Sequence, residues 1–144
     1  MVGKMKISAC LCDKFKVESE IRGQAVCIDQ PSQAGGDDAG PNPLEVVLLS
    51  LAGCIAHIGR IIANQRKIDL RSLEVDVEGE IDKDFLLGKT QEGRAGFTRI
   101  AARVSLDADL TLAEKEEFLR DVERRCPVSD NLIAPTDVAV SLQD

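Results

Sequence analysis

From Val46 to Gly59 the chain carries no formal charge if His57 is neutral, and apolar residues stand on every side of the helical wheel. A helix of that kind has to be covered all round. Its start is sharply marked. Asn42 suits an N-cap, Pro43 suits the first helical position, and Glu45 stands where a capping box needs a carboxylate. Charge returns at Arg60, Arg66 and Lys67, favourably placed near the C-terminal end. A chain of 144 residues can hardly wrap one helix fully by itself. A second copy over the remaining side is therefore expected, which predicts a homodimer.

The length fits a single domain spanning residues 1–144. Aromatic residues make up 3% with no Trp or Tyr, so Leu, Val, Ile and Ala must fill the core. Eighteen basic against twenty-five acidic residues leave a net charge of −7, which repels phosphate backbones. Nucleic acid is an unsuitable partner for such a surface. The N-terminus lacks the apolar run of a secretory signal, and no segment is expected to reach the ~20 apolar residues of a membrane helix. Five cysteines give no even disulfide framework, so the expected compartment is the reducing cytoplasm.

Strands open the chain. Ile7, Ala9 and Leu11 alternate with polar residues and cysteines, as do Phe15, Val17, Ser19 and Ile21 with charged ones. Arg22-Gly23-Gln24 reads as a hairpin turn into a strand over 25–29. A loop from Gln30 to Gly40 follows. After the first helix, Leu73, Val75, Val77, Gly79 and Ile81 alternate with Glu74, Asp76, Glu78 and Glu80. Ile100, Ala102, Val104 and Leu106 form a second regular row, with Arg99 and Arg103 between. Antiparallel pairing would set acidic residues against arginines. The charged connection from Lys83 to Gly96 reads as a loop. A second helix begins at Thr111 with Glu114 completing a capping box, and presents Leu112, Phe118, Leu119 and Val122 inward. Thr136 to Leu142 reads as a last strand, with Val138, Val140 and Leu142 inward. The order β-β-β-α-β-β-α-β does not alternate regularly, which makes the class α+β.

Two cysteines sit in settings that suit thiol chemistry. Cys126 precedes Pro127, so it can cap a new helical turn with its sulfur facing free N–H groups, with Arg124 and Arg125 close by. On this local argument Cys126 is the more acidic thiol; the plain alternative is a buried structural cysteine. Cys54 lies mid-helix after Ala52-Gly53, with His57 three residues on and on the same face. The same spacing suits an inert core cysteine beside a core histidine. Glu45 could orient an arginine or serve only its cap. It stands nine residues before Cys54, about 13 Å along the axis, and cannot touch it within one helix. Cys10 and Cys12 share one strand face at ~6.7 Å, at the limit for a disulfide. With Cys27 they offer three soft ligands but no C-x-x-C, so no metal and no cofactor is expected.

Gly35-Gly36, then Gly40-Pro41-Asn42-Pro43-Leu44-Glu45, then Ser50-Leu51-Ala52-Gly53-Cys54, and finally Cys126-Pro127-Val128-Ser129 together resemble the OsmC/Ohr family. The resemblance implies an intertwined homodimer with antiparallel sheets wrapped around central helices. It also implies thiol-dependent reduction of hydroperoxides, preferably organic ones, reset by an external dithiol. By the family pattern Cys54 matches the peroxidatic cysteine and Cys126 the resolving one. Leu44 stands where the organic-hydroperoxide branch carries a catalytic Glu, and here the carboxylate is at Glu45. That branch also activates its thiol with an early Arg. Arg22, the only Arg before Arg60, is the match. Two other readings remain: a persulfide or thiol carrier using Cys126, and a dimeric small-molecule binding module in which Cys54 only lines a pocket.

Overall fold

The computed structural model describes residues 1–143 and is of the expected α+β class. The chain divides into two compact units, Met1–Val47 and Leu48–Asp144, and the boundary falls inside the first helix.

The first unit is a three-stranded antiparallel sheet of β1 (Ala9–Asp13), β2 (Lys16–Ile21) and β3 (Gln24–Ile28), in the order β1-β2-β3. The β2–β3 turn places Arg22 and Gly23 at φ of 51° and 78°. Positive φ at both central residues matches the right-handed twist of the flanking strands. Below the sheet, the loop 29–41 winds around one buried carboxylate. Asp29 accepts hydrogen bonds from the backbone N–H of Gln30 at 2.8 Å, of Asp37 at 3.1 Å and of Ala39 at 3.1 Å. Two glycines let the backbone close on itself. A Cβ on Gly36 would stand 2.0 Å from the Gln30 carbonyl oxygen, and one on Gly40 2.3 Å from that of Cys27.

That loop feeds α1 (Pro43–Arg66) through the expected cap. The Asn42 N–H donates to Glu45 Oε2 at 2.9 Å, and the Glu45 N–H donates to Asn42 Oδ1 at 2.9 Å. Contrary to the sequence expectation, α1 is long and apolar enough to cross a membrane, with a mean hydropathy of 2.0 over its most apolar window. A core helix meets the same test. The buried residues Leu51, Ile55, Gly59, Ile62 and Ala63 show which of its faces the second unit covers.

The rest of the second unit supplies that cover. β4 (Ser72–Ile81) and β5 (Phe97–Asp107) form a two-stranded antiparallel ribbon, and α3 (Leu112–Arg125) follows. The core is aliphatic, as the composition requires, with Phe118 as its one buried aromatic ring. Leu73, Val75, Val77, Ile100, Val104 and Leu106 pack against it from the ribbon. On the outer face, Arg103 pairs with Glu78 at 2.9 Å and Arg99 with Glu80 at 3.7 Å, the charge complement read from the alternation. Thr111 and Glu114 form the expected capping box of α3. Arg66 of α1 pairs with Asp121 of α3, which also accepts from Arg124 at 2.9 Å.

Four expectations change. The connection after β4 is not all loop, because Asp82 caps a single helical turn, α2 (Lys83–Leu86), accepting from the N–H of Asp84 and Phe85. The turn after Cys126 is a seven-residue helix, α4 (Pro127–Ile133). Leu112 is 75% exposed. As the first helical residue it stands about 9 Å along the axis from Phe118, which marks where α3 meets the core. Residues 136–142 join no ladder, and Val138, Val140 and Leu142 are 83–94% exposed. Alternation prepares a strand, but a strand is completed only by a ladder, and none of the described strands pairs with this segment.

The three N–H donors hold the Asp29 carboxyl below its ordinary value, with the Ala39 N–H the largest cause. The contribution is therefore complete above the unfolded value near 3.9 and is lost as pH falls through the lower folded one. Asp29→Asn should be less stable than wild type at pH 7, and the gap should close below about pH 4 in urea titrations. A gap of equal size at pH 7 and pH 3 would contradict this origin.

Candidate active site

The site is built where α1, the end of α3 and the start of α4 meet within the second unit. Cys54 lies on α1 one residue before the core residue Ile55, is partly buried, and packs against the core cluster. Gly53 precedes it, and a Cβ there would meet nothing within 4 Å, so the chain leaves open space beside Cys54. Cys126 is the junction of two helices, closing α3 and capping α4. Pro127 takes the first helical position, and the Ser129 N–H donates to Cys126 Sγ at 3.4 Å. The sulfur is completely buried.

These two cysteines, seventy-two positions apart, are neighbours in space. Cys54 packs against the core cluster that contains Cys126, the two thiols are close enough to influence one another, and both are free. The adjacency follows from packing already described. Ile55 and Ile62 of α1 share a core with Phe118 and Val122 of α3, and Cys126 comes one turn after Val122.

The electrostatics differ from the local sequence argument. The cap geometry expected at Cys126 is present, yet its thiol is pushed up rather than down. Burial is the largest cause and the adjoining Cys54 thiol the next; the N–H groups of Ser129 and Val128 only partly offset them. The two arginines expected to help are engaged elsewhere. Arg124 donates to Asp121 at 2.9 Å and Arg125 to Gln65 at 3.0 Å. Two backbone donors do not replace the hydration that a buried thiolate loses.

Of the other expected site residues, Arg22 and Glu45 belong to the first unit, and His57 follows Cys54 by three residues on α1. Arg22 is exposed at the tip of the β2–β3 hairpin in the first unit. Glu45, also in the first unit, commits one carboxylate oxygen to its cap. His57, expected in a buried helix face, is exposed. The sequence reading missed Asp29. The only sign was an Asp at a strand end ahead of a glycine-rich loop, where such side chains gather backbone donors.

The sequence pattern of OsmC-like proteins matches residues 35–141, from the first loop glycine past the Cys126-Pro127 junction. The chain belongs to the OsmC-like protein family. No curated protein matches the sequence. Among solved structures, an OsmC-like protein from Mycoplasma pneumoniae superposes with a TM-score of 0.80 at 22% identity, over 94% of this chain and 91% of that one. An organic hydroperoxide resistance protein OsmC from Legionella pneumophila gives 0.63 at 19% identity, over 91% of each chain. A putative organic hydroperoxide resistance protein from Vibrio cholerae, with captopril in one of its active sites, gives 0.61 at 19%, over 94% of this chain and 89% of that one. At these identities the likeness is one of fold. Two motif glycines of this OsmC-like chain have a structural reason, since Gly36 and Gly40 are the places where the first loop cannot admit a side chain.

Burial orders the reactivity of the five thiols. In the folded, reduced protein, N-ethylmaleimide should modify Cys10 and Cys12 first, and Cys126 at least about 100-fold more slowly than in urea. Peptide mass mapping over time reads this directly. Equal labelling of Cys126 and Cys10 would contradict the sealed position of Cys126.

Proposed function

We propose that this OsmC-like protein is a thiol-dependent peroxidase that reduces organic hydroperoxides through Cys54 and Cys126, in defence against oxidative stress. The observation that carries the reading is the proximity of these two thiols in one core cluster, one half-buried and one sealed. The Cys54 thiolate attacks the outer peroxide oxygen. The O–O bond breaks, an alcohol leaves after taking a proton, and Cys54 becomes sulfenic acid. The Cys126 thiol then displaces the sulfenic hydroxyl, giving a disulfide and water, and an external dithiol returns both sulfurs to thiols. The apolar neighbours of Cys54 favour an organic substrate.

A thiolate at Cys54 needs a positive group, and Arg22, oriented by Glu45, is the one this reading assigns. A second copy of the chain is the proposed cover for the outer face of α1, where Leu49 and Ile61 are exposed and Gly53 leaves a flat surface. The cytoplasm is the compartment that keeps all five thiols reduced between turnovers. A carrier that uses Cys126 alone is disfavoured, because a sulfur with no exposed surface cannot hand its cargo to a partner.

With cumene hydroperoxide and dithiothreitol, Cys54→Ser should lower peroxide consumption by at least about 100-fold, because no other thiol replaces the nucleophile. Equal rates for Cys54→Ser and wild type would remove the proposal. Arg22→Ala should raise KM or lower kcat without changing the reaction with 5,5′-dithiobis(2-nitrobenzoate) at Cys10.

A further inference from the structure

The three cysteines outside the candidate active site share one face of the first sheet. In the β1–β2–β3 register, Cys10 stands opposite Glu18, and Glu18 opposite Cys27. Cys12 lies at the register shift between Leu11 and Asp13, and its bond to Glu18 places its sulfur on the same side. It donates to Glu18 Oε2 at 3.4 Å and to the Cys10 carbonyl oxygen at 3.5 Å. Cys10 and Cys12 are both exposed, and neither is in a disulfide.

Distances decide what this face can hold. Cys10 and Cys27 are separated by two strand spacings, about 10 Å, too far to share one ion. Among the described residues no group of three or more such ligands is close enough for a metal, so a four-coordinate zinc centre is not formed. A regular strand would set Cys10 and Cys12 about 6.7 Å apart at their Cα atoms, and the register shift between Leu11 and Asp13 breaks that regularity at Cys12. A linear sulfur–metal–sulfur unit needs its sulfurs about 4.6 Å apart, twice a metal–thiolate bond. The two exposed side chains are already close enough to influence one another, and rotation about their χ1 angles adjusts the sulfur spacing.

We propose that Cys10-Leu11-Cys12 is a two-thiolate site for a soft monovalent cation, with Cu(I) as the ion its chemistry selects. Thiolates favour Cu(I) over harder ions, and two-fold coordination asks for no third ligand. The two S–H bonds release two protons to solvent as two sulfur–copper bonds form, and no electron is transferred. Each ion bound displaces up to two thiol protons, so binding weakens as pH falls. The site is separate from the Cys54–Cys126 pair and does not depend on the function assigned to it.

Anaerobic titration of the full-length reduced protein with Cu(I), in competition with bicinchoninate, tests the proposal. Cys10→Ser and Cys12→Ser should each lose the same single equivalent, held at least 100-fold more weakly than in wild type, while Cys27→Ser keeps it. Both substitutions are on an exposed strand face, and far-UV circular dichroism checks that the sheet is intact. Copper K-edge absorption of the one-to-one wild-type complex should show two sulfur neighbours. Retention of every equivalent by Cys10→Ser and Cys12→Ser would overturn the proposal. So would the same loss in Cys27→Ser, or three or more sulfur neighbours.

Discussion

The packing of Ile55, Ile62 and Ala63 of α1 against Phe118 and Val122 of α3 is the constraint from which the thiol arrangement follows. It fixes α3 along α1, and the end of α3 fixes Cys126. One turn separates Val122 from Cys126, so any shift of α3 along α1 would move one sulfur past the other. The pairs Arg66–Asp121 and Arg124–Asp121 add direction at the same end, but they are exposed enough to contribute little on their own. The close seat of α1 also depends on Gly59, where a Cβ would stand 2.7 Å from Leu73 Cδ1. A helix with no charge from Val46 to Gly59 has no charged residue with which to resist this burial.

Local signals were legible in the sequence, and those that depend on distant partners were not. The capping boxes at Asn42 and Thr111 were readable because cap and carboxylate are three residues apart. The β4–β5 ribbon was readable because its alternation and its charge complement agree. The short helix at Lys83 was hidden in a charged stretch, since one turn held by Asp82 has no period to detect. Residues 136–142 show the reverse case, with a strand pattern but no pairing partner among the described strands. Asp29 looked like the end of a strand, and only the folded loop reveals three donors converging on it.

The sequence singled out both cysteines, and its local argument for an acidic Cys126 does not hold in the fold. An N-cap before proline argues for an acidic thiol, and the cap is there. What sequence could not supply is the degree of burial, and burial outweighs the two backbone donors. The consequence fits the roles in the proposed cycle. The thiol with some exposure is the one a peroxide can meet, and the sealed thiol meets only its neighbour. A resolving thiol works by proximity, because attack on an adjacent sulfenic acid is intramolecular, and this relaxes the need for a standing thiolate.

The central claim is that Cys54 and Cys126 act as one redox pair, and its most direct test is mass spectrometry of the reduced protein after one equivalent of cumene hydroperoxide. The account predicts a loss of about 2 Da and a single cross-linked peptide pair joining Cys54 to Cys126, reversed by dithiothreitol. Cys54 oxidised to sulfinic acid with Cys126 still a free thiol, or a cross-link that omits either residue, would contradict it.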